Sequence, residues 1–114
     1  MADCLFCRIV AGELPADKVY EDEHVLAFRD INPQAPQHVL VIPKRHIASL
    51  NEAREEDVPV LGHLQRVIPE VARRVGVADS GYRVVVNTGR DALQTVFHVH
   101  YHVLGGRALQ WPPG

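Results

Sequence analysis

The sequence has little of several features that would assign a protein to a class at once. Its formal net charge is −2 over 114 residues, so it has no excess of Lys and Arg to neutralise the phosphates of a nucleic-acid polymer. No apolar run approaches the roughly 20 residues of a membrane span, and the first residues have neither the basic nor the apolar region of a secretory signal. We therefore expect a cytoplasmic protein with no membrane and no nucleic-acid partner.

Cysteine is also scarce. The two cysteines, Cys4 and Cys7, have the spacing C-x-x-C. A disulfide framework needs more cysteines and an oxidising compartment, and a thioredoxin-like redox motif needs a strand before Cys4, for which too few residues precede it. Zinc is the stronger interpretation, but a structural zinc site needs four ligands, so the other two would have to be distant histidines.

No repeat, low-complexity tract or linker divides the chain, and we expect one domain over residues 1–114. Apolar residues at spacings of three and four predict a long helix over residues 55–75 that ends at Gly76. Pro69 lies inside this stretch and is expected to kink or break the helix. A second, short helix is predicted over residues 7–11, with Gly12 as its stop.

The remaining apolar segments are short and predict a sheet. The predicted strands cover residues 18–20, 24–28, 38–42, 82–86 and 97–104. Five strands and one long helix without βαβ alternation are typical of an α+β fold, in which one face of an antiparallel sheet is covered.

Three histidines at a spacing of two, His98, His100 and His102, are the most informative feature of the sequence. Side chains alternate on a strand, so the three imidazoles would share one face. The opposite face would carry the apolar residues Phe97, Val99, Tyr101 and Val103. Imidazole titrates near neutral pH and can act as a nucleophile, acid, base or metal ligand. The spacing alone leaves open whether the three bind a metal or react with a substrate.

Four segments in order resemble the histidine triad (HIT) superfamily and, within it, the Hint branch. They are HVHYHVL at residues 98–104, DINPQAPQHVLVIPKRH at residues 30–46, YRVVVN at residues 82–87, and GGR with WPPG at residues 105–107 and 111–114. The resemblance runs nearly end to end. It implies a HIT-like fold with a five-stranded antiparallel sheet, one long and one short helix, and a homodimer in which two sheets become continuous.

The resemblance also implies an activity. Hint proteins hydrolyse purine nucleoside phosphoramidates, such as AMP joined to an amine, through a covalent nucleotidyl-histidine. In this sequence the nucleophile would be His100, and the first triad member, His98, would also belong to the catalytic set. His102 would bind the phosphate and share protons, with His38 as its partner. A neutral imidazole is a chemically suitable nucleophile for dividing one displacement at phosphorus into two.

The nucleotide-binding residues implied by the resemblance come from three parts of the chain. Asp30 would bind the ribose and Ile31 the base, while Asn87 and Thr95 would donate hydrogen bonds to the α-phosphate. The full implied set is Asp30, Ile31, Asn87, Leu93, Gln94, Thr95, His100 and His102. The chain departs from the family at Ala92-Leu93, where a glycine-rich turn is usual, and Leu93 should neither adopt a positive φ nor approach a phosphate easily.

The cysteines acquire a role through the same resemblance. Bacterial-type relatives with C-x-x-C near the start bind a structural zinc ion, which implies Cys4, Cys7, His46 and His98 as ligands here. Other Hint proteins lack these cysteines, so the zinc would not be required for catalysis and would instead hold the N-terminal segment on the sheet. The resemblance further implies that the tail with Trp111 reaches toward the active site of the partner subunit.

Two other functions remain open at this stage. The chain could be a regulatory or scaffold protein that binds AMP or another purine nucleotide and whose hydrolytic activity is incidental, and turnover would separate this from an enzyme. It could also be a metal-dependent hydrolase with the triad as ligands, which a chelator would inactivate.

Overall fold

The computed structural model describes residues 4–114, in which a five-stranded antiparallel sheet lies between one long and one short α-helix. The helices are α1 (Leu5–Val10) and α2 (Val58–Arg74), and the strands are β1 (Lys18–Glu21), β2 (Val25–Arg29), β3 (Gln37–Pro43), β4 (Tyr82–Val86) and β5 (Tyr101–Gly105). The strand order is β1-β2-β3-β5-β4, and every neighbouring pair is antiparallel. The predicted α+β class is therefore confirmed.

Both faces of the sheet carry helix, although the sequence predicted one covered face. Helix α2 packs its buried residues, among them Leu64, Ile68 and Val71, against one face of the central strands. On the other face, Phe6 and Ile9 of α1 cover a smaller patch. The sheet residues of that patch are Leu26, Phe28, Leu40 and Ile42. Because β2 and β3 are covered on both sides, their sequences are almost continuously apolar instead of alternating.

Helix α2 continues through Pro69, so of the predicted kink or break, the break does not occur. Pro69 is on the exposed side of the helix. The carbonyl group of Gln65, which loses its helical partner at a proline four residues later, is therefore also on the side where water can satisfy it. The helix begins at Val58 after a 3-10 turn, Glu55–Asp57, and the chain turns out of it at Gly76, which has φ +78°.

The last strand is shorter than predicted. It begins at Tyr101, and the residues before it, including His98 and His100, form an irregular segment that leads into β5. This segment pairs with a loop instead of a strand, since the amide of Val99 donates to the carbonyl of Ile47 at 2.7 Å. The alternation predicted from Phe97 onward therefore fails at Phe97, which is 63% exposed, whereas Val99, Tyr101 and Val103 lie in the core that α2 covers, as predicted.

The short helix begins at Leu5, two residues earlier than predicted, and Cys4 caps it. The Cys4 Sγ accepts a hydrogen bond from the backbone amide of Cys7 at 3.3 Å, and Gly12 follows the helix with φ +78°, as its predicted role as a stop requires. Among residues 4–114, no helix is both long enough and apolar enough to cross a bilayer.

Candidate active site

A cavity of about 510 Å³ opens on the face of the sheet that α1 covers, beside the histidine segment. Leu5, Phe6 and Ile9 of α1 form one wall, and Phe28 and Leu40 of the sheet contribute to another. Five residues of the implied nucleotide-binding set line the cavity: Asp30, Ile31, Thr95, His100 and His102. The apolar wall from α1 was not predicted, because a six-residue helix has too little periodicity to show which face it buries.

His100 is buried, and one of its ring nitrogens has a main-chain partner. Nδ1 of His100 lies 2.8 Å from the backbone carbonyl oxygen of His98. A carbonyl oxygen can only accept, so Nδ1 carries the proton and donates it. In the neutral ring the other nitrogen, Nε2, then carries the lone pair, and this is the form of imidazole that can attack an electrophile.

A chain of hydrogen bonds determines the protonation of the next two histidines in the same way. The backbone amide of Gln34 donates to Nδ1 of His38 at 3.0 Å, so the proton of neutral His38 lies on Nε2. That Nε2–H donates to Nδ1 of His102 at 2.8 Å, which leaves the proton of His102 on its Nε2. Nε2 of His102 is buried and has no hydrogen-bond partner within residues 4–114, so the cavity wall contains a donor without an acceptor.

The hydrogen-bonded pair His38 and His102 is held in the neutral state. Burial lowers the pKa of His102 to about 4, with further lowering by the neighbouring His100 and His38. Burial also lowers the pKa of His38, although the Asp30 carboxylate, 3.5 Å from Nε2 of His38, opposes this shift. At pH 7 a neutral imidazole can both donate and accept a proton along this series of hydrogen bonds, because it has one N–H and one lone pair. A charged imidazolium has no lone pair and could only donate.

Asp30 and Ile31 lie at the rim of the cavity. One carboxylate oxygen of Asp30 accepts the backbone amide of Asn32 at 2.8 Å and so caps its own loop, while the other faces His38. Ile31 is fully exposed, as an apolar residue at an open binding site would be before its ligand covers it. Among the described residues, Asn87, Leu93 and Gln94 are not part of the cavity lining.

The loop before the triad is held by Gln94, whose side chain is buried. Its Oε1 accepts the amide of Gly89, and its Nε2 donates to the carbonyl groups of Ala48 and Val96. These three bonds use both N–H groups and engage the oxygen of the side-chain amide, so Gln94 anchors the loop. Leu93 adopts a positive φ of +64°, although leucine was not expected to do so easily where the family usually has glycine. Its backbone amide donates to the carbonyl oxygen of Arg90 in a turn.

The two cysteines near the start of the chain and two histidines that are distant from them in sequence bring their ligand atoms together. Atoms of Cys4, Cys7, His46 and His98 that can ligate a metal all lie within 4.8 Å of one another. Sulfur-to-nitrogen distances are 3.3 Å for Cys4 to His98, 3.3 Å for Cys7 to His46 and 3.5 Å for Cys7 to His98. Tetrahedral zinc with ordinary bond lengths places sulfur and nitrogen ligands about 3.5 Å apart, so the four residues fit that ion.

The orientation of His98 supports the same use. Nε2 of His98 donates to the carbonyl oxygen of Pro43 at 2.8 Å, which turns the lone pair of Nδ1 toward the two sulfurs. Burial lowers the pKa of His98 to about 4, which keeps the ring neutral. Burial and the adjacent Cys4 raise the pKa of the Cys7 thiol to about 11, and a cation bound between the sulfurs would favour the thiolate instead.

The three triad imidazoles do not converge on one point. His98 faces the cysteines, His100 is bonded to a carbonyl group, and His102 is bonded to His38. Asp30, His38 and His102 also lie close together, but the 2.8 Å between the two ring nitrogens is a hydrogen bond and is shorter than the roughly 3.3 Å between nitrogens on one tetrahedral ion. The alternative of a metal held by the triad itself is therefore not favoured by the geometry.

Comparisons with known proteins agree with this architecture. The HIT domain family matches residues 11–109. An uncharacterised HIT-like protein from Synechococcus elongatus is 54% identical over 98% of this chain and 97% of its own. A crystal structure of a HIT family hydrolase from Legionella pneumophila superposes with a TM-score of 0.95 at 47% identity, covering 98% of this chain and all of the other. A histidine triad protein from Clostridium difficile gives a TM-score of 0.92 at 45% identity, covering 96% of each chain.

Proposed function

Because the chain belongs to the HIT domain family, we propose that it is a hydrolase of the Hint branch that cleaves the P–N bond of purine nucleoside 5′-phosphoramidates. The substrate would be AMP, or another purine nucleotide, joined to an amine. The observation that carries the proposal is the pair of opposite tautomers in the cavity wall. His100 presents a lone pair on Nε2, and His102 presents an N–H on Nε2.

The first half of the reaction uses both groups. Nε2 of His100 attacks phosphorus and forms a P–N bond to the protein, while the P–N bond to the leaving amine breaks. The amine leaves with the bonding electron pair, and the Nε2–H of His102 is the proton that it takes. Loss of this proton leaves His102 as an imidazolate, and the Nε2–H of His38, which donates to its Nδ1, stabilises that negative charge until the proton is returned.

The second half reverses the roles. A water molecule attacks the same phosphorus atom, the bond to Nε2 of His100 breaks, and AMP is released. The proton lost by the water returns to Nε2 of His102, so both histidines end in the state in which they began. Nδ1 of His100 keeps its bond to the His98 carbonyl throughout, which holds the ring in position and supports the positive charge of the intermediate.

The other residues of the proposed site bind the nucleotide. The apolar wall of Phe6, Ile9 and Phe28 suits a flat purine, and Ile31 would close over it. The carboxylate oxygen of Asp30 that faces His38 would also accept from the ribose hydroxyls, and Thr95 would donate to the α-phosphate. Asn87 would add a further phosphate contact from outside the cavity.

We propose in addition that Cys4, Cys7, His46 and His98 hold a structural zinc ion, for which their distances and the bond from His98 to Pro43 are the support. Zinc would supply folding energy at this site and no step of the hydrolysis. A homodimer with one continuous sheet and a cytoplasmic location complete the proposal.

The test of the reaction is His100→Ala. This variant should lose turnover of adenosine 5′-phosphoramidate by about a thousandfold or more, because the neighbouring His102 presents an N–H and not a lone pair on Nε2 and so cannot replace the nucleophile. It should still bind AMP in calorimetry, since the wall and Asp30 are intact. Intact mass spectrometry of the native protein, quenched during turnover, should show one added adenylyl group.

The matched control is His24→Ala, which removes an exposed histidine outside the cavity and should turn over normally. If His100→Ala retains most of the activity, the assignment of the nucleophile is wrong. If the native protein binds AMP and shows no turnover of any phosphoramidate, the chain is the regulatory or scaffold protein that the sequence left open.

A further inference from the structure

We propose that the metal-binding cluster of Cys4, Cys7, His46 and His98 positions the nucleophile, so that metal and nucleotide strengthen each other's binding. This inference rests on the proposed function, because the nucleotide must occupy the cavity beside His100. It assigns Cys4, Cys7, Phe6 and His98 as positioning residues that act through His100.

His98 belongs to both sites at once. Its ring Nδ1 faces Cys4 and Cys7, and its backbone carbonyl accepts the Nδ1–H of His100 at 2.8 Å. The residue is completely buried, and its other ring nitrogen is bonded to Pro43. A buried side chain with both nitrogens engaged has little freedom to rotate, so a shift of the ring must also move the carbonyl group that orients the nucleophile.

Helix α1 makes a second connection. Cys4 caps this helix of only six residues and Cys7 lies within it, so two of the four candidate metal ligands move with α1. The same helix carries Phe6, whose ring packs edge-on against His100 and His98 with centroid distances of 5.2 and 6.0 Å. It also supplies Leu5 and Ile9 to the cavity wall.

A helix this short does not persist by its own hydrogen bonds, so its position depends on what attaches it to the sheet. An ion bound by the two sulfurs and the two imidazoles joins α1 to His46 and His98. It therefore restricts the cavity wall and the carbonyl partner of His100 together. A nucleotide that packs against this wall restricts the same parts of the protein. The ligand that binds first pays the conformational entropy of ordering them, so the second ligand binds more tightly.

Thermodynamic linkage makes the inference sharply testable, because coupling between two ligands must be reciprocal. Zinc affinity is measured by competition with a chromophoric chelator, with and without saturating AMP. AMP affinity is measured by calorimetry on zinc-loaded and metal-free protein, at a temperature where circular dichroism shows the metal-free protein folded. We expect both affinities to rise by the same factor, at least about fivefold.

A factor of one in both measurements, with folded metal-free protein, overturns the inference and reduces the metal to an attachment for the N-terminal segment. If AMP binds neither form, the proposed function fails instead, so the two failures are distinguishable. Where the metal-free protein does not fold, the protein loaded with Co²⁺ decides. Saturating AMP should change its ligand-field absorption bands, and unchanged bands overturn the inference.

Two variants on α1 separate positioning from packing. Phe6→Leu removes the contact with both imidazoles, and Ile9→Val trims a buried residue of the same helix that also lines the cavity. In zinc-loaded protein both variants should weaken AMP binding, but only Phe6→Leu should reduce the coupling factor toward one. An equal reduction in both variants would remove Phe6 from the positioning role.

Discussion

Leu93 is the non-glycine residue with a positive φ in the described part of the chain, at +64°, and its side chain is 77% exposed. A leucine in the left-handed region costs about 1 kcal/mol or more, and an exposed one recovers nothing through burial. We expect Leu93→Gly to raise the free energy of unfolding by up to about 1 kcal/mol, less the extra entropy of glycine in the unfolded chain. Urea unfolding would measure this change, provided that the dependence of the free energy on urea concentration is the same for both proteins.

Leu93→Ala is the control, because alanine keeps the Cβ atom that causes the strain while removing the rest of the side chain. It should leave the free energy of unfolding nearly unchanged. An equal gain in both variants would contradict the strain explanation and attribute the effect to the exposed leucine side chain.

At the same scale, the sequence predicted which imidazoles matter but could not predict their tautomers. The proton on His100 is assigned by the carbonyl group of His98, and that on His98 by Pro43, which is 55 residues away in the chain. The tautomers of His38 and His102 depend on the amide of Gln34. These partners are main-chain groups that every residue possesses, so no residue type in the sequence marks them.

At the scale of elements, periodicity predicted α2 and the approximate positions of all five strands, because each has enough apolar residues to show its buried face. Periodicity failed to predict where β5 begins and which surface α1 packs against. The segment before β5 is held by a loop contact at Ile47, which no local pattern encodes, and α1 is too short to show where it packs. The ligand cluster was assembled from a family resemblance, since spacing alone offered only Cys4 and Cys7.

The attachment of α1 yields a prediction at this scale. Protein purified without added metal should contain about one zinc ion per chain by elemental analysis. Removing it with a chelator should lower the midpoint of thermal unfolding by about 5 °C or more, the shift that corresponds to roughly 1 kcal/mol in a domain of this size. The double variant Cys4→Ser, Cys7→Ser should already unfold at the lower temperature and should not respond to the chelator.

Metal-free native protein, or a midpoint that does not move when zinc is removed, would contradict the assignment. A response of the double variant equal to that of the native protein would place the metal elsewhere.

At the scale of the whole molecule, the two outer strands differ in how they present their free edges. Strand β1 carries Lys18 and Glu21 and has an irregular register with β2, features that discourage pairing with another chain. Strand β4 is regular and mostly apolar, and Val84 on it is exposed. This contrast supports β4 as the edge through which the proposed homodimer would join its two sheets.

The C-terminal tail is attached to the same strand. The guanidinium group of Arg83 lies 5.6 Å from the Trp111 ring centroid and donates to the carbonyl of Gln110 at 2.8 Å, yet Trp111 is 78% exposed. An exposed tryptophan beside the proposed dimer edge is suited to contact the leaving group in the active site of the partner subunit. Deleting residues 111–114 should therefore leave a dimer in light scattering. It should change the ratio of hydrolysis rates for two phosphoramidates with different amines by about fivefold, the factor for roughly 1 kcal/mol. An unchanged ratio with the dimer intact would restrict the tail to packing on β4.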